Sequence, residues 1–255
     1  MRGGLARVLC GTAAAMLLLC ATAYAIRAQV GNTWVSATAS LEPRELPPRR
    51  DAPVSLKTVT RIGTTDGSTP PVLQKLVFEV DKNGSVDARG IPVCTMAKLA
   101  DTTPSEARKR CARSLVGTGT GKAVVDLPGS PPMRISSPLS FFNGPKIGGQ
   151  PSLIAHAYET VPSPKTLLVP IAIERVHGGR YGYRAEVELP PIAEGYGAPT
   201  LAEATVGATR KRGGRTVGYL NAHCSGGRLQ VQGTLSFSNG DHFPTTLTSP
   251  CHSRR

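Results

Sequence analysis

Four cysteines, Cys94, Cys111, Cys224 and Cys251, are the side chains of this chain whose types and spacing promise most chemistry, and they admit two uses. In an oxidising compartment thiols couple into disulfides, and as thiolates they hold a metal. His223-Cys224 and Cys251-His252 together offer four zinc-type ligands. Neither pair has the spacer of about two to four residues that lets both ligands of a half-site converge on one ion, so the disulfide reading leads and no metal ligand is assigned. Four cysteines allow three pairings. Proximity in sequence favours Cys94 with Cys111 and Cys224 with Cys251, because each closes a compact local unit.

Other constellations fail on spacing. Gly117-Thr118-Gly119-Thr120-Gly121-Lys122 has the look of a phosphate cradle, but Ala123 stands where a magnesium-binding hydroxyl would follow the lysine. The spacing also departs from the dinucleotide fingerprint, which leaves a flexible strand entry as the expectation. Glu186 and Glu188 share one strand face beside Arg184, whereas glycoside hydrolysis needs carboxylates facing each other across the scissile bond. Other acids are scarce: Glu79, Asp81 and Asp87 flank an expected hairpin, Asp101 sits near a helix cap, and the five histidines are scattered. There is no G-x-S-x-G elbow and no H-E-x-x-H pair. No catalytic or cofactor-binding residue is assigned and no cofactor is expected. A non-catalytic binding or structural module is the leading function, with a secreted hydrolase of unfamiliar type as the alternative.

Charge supplies the remaining hint. The chain carries a formal +13. Arg108, Lys109, Arg110 and Arg113 form one basic cluster, and Arg210, Lys211, Arg212 and Arg215 another. Such clusters attract anionic envelope polymer, acidic glycan or lipid headgroups through long-range fields, and equally serve solubility. Nucleic acid is disfavoured, because aromatics are few and no binding module is recognisable.

The elements that must position these residues begin with an export signal. Arg2 and Arg7 precede an apolar run from Val8 to Ala23, and Ala23-Tyr24-Ala25 has the small-x-small pattern of a signal-peptidase site. The run falls short of the roughly 20 residues that span a bilayer, so no transmembrane anchor is expected after processing. Cys20 follows the large Leu19, which disfavours lipidation. Removing residues 1–25 takes away two arginines and no acid, leaving a mature charge of +11 on 230 residues. The expected location is secreted or envelope-associated. Residues 26–53, with Pro43, Pro47, Pro48, Pro53 and the lone Trp34, read as an extended linker.

From residue 54 to 255 a single β-sandwich domain is expected. Leu229, Val231, Leu235 and Phe237 alternate with polar residues, and Asn239-Gly240 predicts a type I′ hairpin returning through His242 to Leu247. Tyr181, Tyr183, Ala185, Val187 and Leu189 alternate likewise. Arg212-Gly213-Gly214-Arg215 reads as a turn. Thr103-Pro104-Ser105-Glu106 predicts one short helix to about Arg110, opened by a capping box and bracketed by Cys94 and Cys111. With 22 prolines, 28 glycines and no long amphipathic helix, the fold class is all-β: an antiparallel sandwich or a barrel-like variant.

The order of residues also resembles a family of uncharacterised exported proteins of GC-rich bacteria. The resemblance rests on Thr65-Asp66-Gly67-Ser68-Thr69-Pro70-Pro71, Gly90-Ile91-Pro92-Val93-Cys94, Cys111 with Val116-Gly117-Thr118-Gly119, and Phe142-Asn143-Gly144. It continues through Tyr181-Gly182, Gly218-Tyr219-Leu220-Asn221-Ala222-His223-Cys224 and Cys251. It covers most of the mature chain, and departs at Ser225, where proline is common. It implies export and a cysteine-bridged β domain, with no activity assigned.

Overall fold

Alternating apolar and polar residues give strands whose one face is hidden, and here most of the chain obeys that period. The computed structural model describes residues 26–253; the expected export signal, residues 1–25, lies outside the described residues. In chain order the strands are β1 (Ile26–Val30), β2 (Thr33–Glu42), β3 (Glu45–Leu46), β4 (Ala52–Thr64), β5 (Leu73–Asp81), β6 (Gly84–Val86), β7 (Leu115–Val125), β8 (Met133–Asn143) and β9 (Ser152–Glu159). There follow β10 (Lys165–Arg175), β11 (Tyr181–Glu188), β12 (Gly197–Val206), β13 (Thr209–Arg212), β14 (Arg215–Gly218), β15 (Leu220–Ala222), β16 (Arg228–Phe237), β17 (His242–Pro250) and β18 (His252–Ser253).

The principal sheet runs β1-β2-β4-β12-β7-β8-β9-β10-β11-β5-β16-β17, every neighbouring pair antiparallel. It curls until β17 lies alongside β1 and β2, where the Leu41 N–H donates to Ser249 Oγ at 3.2 Å. The expected all-β architecture is therefore present as its barrel-like variant, nearly closed.

Residues 26–53 are not a linker. β1 and β2 form a hairpin, and β2 pairs with β4 along its whole length, from Thr33 opposite Thr64 to Glu42 opposite Ser55. Thr33, Val35 and Ala37 are buried on one face, a short period-two pattern that the neighbouring prolines obscured. Trp34 points the other way and lies over Gly63, with its indole N–H donated to the Thr64 carbonyl at 3.1 Å and the Arg27 guanidinium 4.8 Å from its ring. Gly117 to Lys122, expected as a flexible strand entry, lie in the middle of β7.

The hairpin between β16 and β17 forms in the expected place with a different turn. The Gly240 N–H donates to the Phe237 carbonyl, and the Phe237 N–H to the Asp241 carbonyl. Only Gly240 takes positive φ. This is a type I turn followed by a glycine bulge, not type I′, which would need positive φ at Asn239 as well. That double requirement is met instead at Gly213 and Gly214, between β13 and β14.

Two short helices, α1 (Met96–Leu99) and α2 (Pro104–Arg110), sit outside β8 and β9. The capping box at Thr103 and Glu106 is formed as expected: Thr103 Oγ1 accepts the Glu106 N–H, and the Glu106 carboxylate accepts the Thr103 N–H. So short a helix cannot persist alone. Its Ala107 packs with Leu99, Phe142, Ile154 and the Cys94–Cys111 disulfide.

Candidate functional site

Closing a sheet of about a dozen strands leaves more interior than the side chains of a barrel of about eight can fill. The inward faces here are apolar: Leu76, Phe78 and Val80 on β5, Leu153, Ala155 and Ala157 on β9, Leu167, Val169 and Ile171 on β10, with Tyr183, Ala185 and Val187 on β11. They enclose a cavity of about 470 Å³. Leu56, Phe78, Leu139, Phe141, Leu167 and Val169 line it yet remain only half-buried, because their free surface faces the lumen rather than other side chains. A packed core would bury them outright.

Strand direction distinguishes the two ends. At the floor lie the start of β9, the end of β10 and the start of β11. Here Val86, Ala88, Ile91, Ala208 and Leu220 pack against the cluster that contains the fully buried Tyr219. The Tyr219 hydroxyl has no hydrogen-bond partner among the described residues, and burial pushes its ionisation far above the usual phenol range. At the mouth lie the end of β9, the start of β10 and a single 3-10 turn at Ala193–Gly195. Ala193 and Glu194 both take positive φ there. Beside the mouth, Val35, Ile62, Leu235, Phe237 and Phe243 pack the β2–β17 seam, with the two phenylalanine rings edge to face at 5.3 Å.

The outer face carries the charge. Lys57 pairs with Glu203 at 3.1 Å, Lys75 with Glu186, and Arg184 with both Glu79 and Glu186 at 3.6 Å. Glu186 is thus a surface ion-pair member, as its setting beside Arg184 suggested. An apolar interior under a charged exterior is the reverse of a membrane-spanning barrel, whose apolar band faces lipid. Among the described residues no helix is long and apolar enough to cross a membrane.

All four cysteines pair as proximity favoured, Cys94 with Cys111 and Cys224 with Cys251. Their sulfurs are bonded to each other and so do not act as thiolate ligands. His223 instead donates its Nδ1–H to Asp51 Oδ1 at 2.7 Å, while Ser85 donates its hydroxyl to Asp51 Oδ2. Serine, histidine and aspartate therefore meet in the wrong order for nucleophilic catalysis. The carboxylate lies between the other two, whereas an activated serine must donate to the imidazole. His156, on the outer face of β9, is fully buried with Nε2 within 3.1 Å of the Thr102 hydroxyl and carbonyl. Burial lowers its pKa, which favours the neutral ring.

The two basic clusters differ in kind. Arg108, Lys109, Arg110 and Arg113 are exposed at the end of α2, where cations suit the helix dipole, and none has an ion-pair partner among the described residues. In the other cluster Arg210 and Arg212 face Asp87 at 3.7 and 3.6 Å, and Arg210 also donates to the Asp87 and Arg89 carbonyls. Lys211 donates to the neutral Thr216 hydroxyl, so Lys211 and Arg215 are the cluster's cations without an ion-pair partner among the described residues. The hairpin's arginines thus serve mainly to hold it against the segment at Asp87.

Sequence reasoning missed the lumen and the carboxylate at its mouth, Glu159; the other acid lining the cavity among the described residues, Asp81, is paired with Arg180 at 3.0 Å. Alternation shows that a face is hidden but not whether it meets side chains or a void. The only available signal was the number of strands. No family model matches the chain, and no curated protein matches it.

Proposed function

We propose that the protein is a secreted or envelope-associated, non-catalytic binding module that holds an apolar small molecule in the barrel lumen. The carrying observation is the cavity of about 470 Å³ with half-buried apolar walls. That volume lies inside the range of roughly 300–1,000 Å³ typical of small-molecule sites. Export is supported by the composition of residues 1–25 and by two disulfides, which suit an oxidising compartment.

Diphenylhexatriene, a hydrocarbon whose fluorescence rises in apolar surroundings, tests the reading. Saturable binding of about one probe per protein is the expected result, and Val169→Trp, which fills the lumen from β10, reduces it at least tenfold in affinity. A folded, disulfide-intact protein that leaves the fluorophore dark sinks the proposal.

The exposed cations of α2 favour a second contact, with anionic envelope polymer, acidic glycan or lipid headgroups. Retention on an anionic matrix should then weaken with moderate salt and with the triple substitution Arg108→Ala, Lys109→Ala, Arg110→Ala. Retention unaffected by both would remove this contact.

A further inference from the structure

Resting on the lumen reading, we infer that the bound molecule ends in a hydrogen-bond donor, a hydroxyl or an amine, seated on Glu159 at the mouth with its apolar body toward the floor. On β9 the inward residues run Leu153, Ala155, Ala157, Glu159, so an apolar stripe finishes in a carboxylate where the strand reaches the rim. Glu159 is only 4% exposed. One oxygen, Oε2, accepts the Ala193 N–H at 2.8 Å, and no partner for Oε1 is found among the described residues.

A buried carboxylate is costly unless a cation or donors compensate it. The nearest candidate cation by register is Lys165, directly opposite on β10, but its side chain is exposed and makes no ion pair with Glu159. The neighbouring charge on the rim turn, Glu194, is of the same sign. A carboxylate only accepts hydrogen bonds, so the second oxygen, which no protein donor reaches among the described residues, selects donors and repels anionic heads. Along β9 the apolar wall beneath it extends for six residues, about 20 Å of strand, which suits an elongated body.

Displacement of diphenylhexatriene by dodecylamine, dodecanol and dodecanoate decides the matter. The amine and the alcohol should displace the fluorophore at concentrations at least tenfold below dodecanoate. The protein's net positive charge would favour the opposite order through nonspecific attraction, so this ranking cannot come from bulk electrostatics. Glu159→Gln keeps an acceptor for the Ala193 N–H and removes the charge. It should raise the dodecylamine concentration about tenfold relative to dodecanol, with the fluorophore's own affinity for the variant measured alongside and used to correct both.

If the fluorophore binds but dodecanoate competes as well as the amine, or the variant alters nothing, the donor-ended ligand is refuted and the lumen reading stands. If the wild-type protein does not bind the fluorophore, both fall. The wild-type ranking holds as a test even should the variant fail to fold.

Discussion

Replacing Cys224 and Cys251 together by alanine lowers the unfolding free energy by about 3 kcal/mol, the scale expected for releasing a loop of this size in the unfolded chain. The two residues are 27 apart, and the loop they close contains the whole β16–β17 hairpin. The bond is buried with Leu46, Val54, Ala222 and Leu229, where the last strand turns back to meet the first part of the chain. Around it the Cys224 N–H donates to the Pro47 carbonyl, the Cys251 N–H to the Gly227 carbonyl, and Ser253 Oγ to the Cys224 carbonyl. Because β17 closes the barrel only by lying against β1 and β2, loosening its end also loosens the lumen wall. Denaturant titration of the double alanine variant, with Cys94–Cys111 intact, should show a lower midpoint. Diphenylhexatriene binding should be lost with the same transition. A loss under about 1 kcal/mol would mean that the surrounding packing holds the seam without the covalent link.

What was legible in the sequence follows the range of each physical signal. The capping box at Thr103 is written in four adjacent residues, and it forms as read. The disulfide pairing followed from proximity and compartment, and the strands β11, β16 and β17 followed from period-two alternation. The turn at Asn239-Gly240 differs from the expectation because the dipeptide permits two geometries, and the hydrogen bonds formed by Phe237 are those of the bulged one. The prolines of residues 26–53 suggest a linker, but Pro43, Pro47 and Pro48 lie between strands, Pro53 is tolerated at the second position of β4, and β2 itself contains none. The lumen was out of reach, since it arises only when a dozen strands close. Glu159 gave no local sign: a single acid after Leu153-Ile154-Ala155-His156-Ala157-Tyr158 marks a strand end in most proteins. Only the curvature of the sheet turns it inward.

The glycines of β7 suggest flexibility in the sequence, and the barrel gives them the opposite role. A Cβ at Gly119 would lie 2.0 Å from the Glu203 carbonyl oxygen and 3.0 Å from Ala204 Cα, both on the backbone of β12. Two residues on, and so on the same face, a Cβ at Gly121 would meet only Leu139 side-chain atoms at 3.5 Å or more. The two positions thus share strand, face and residue type and differ in how closely β12 approaches. Gly119→Ala should cost about 3 kcal/mol, the upper end of overpacking, because the atom in the way is backbone and cannot rotate aside. Gly121→Ala should be neutral or stabilising by about 0.5 kcal/mol, through the lower entropy of the unfolded chain. The β7–β12 ladder forms one wall of the lumen, so the first variant should also weaken fluorophore binding while the second keeps it. Equal stability of the two variants would show that β12 can shift at no cost. The glycine at 119 would then be an accident of sequence rather than a condition of the barrel's curvature.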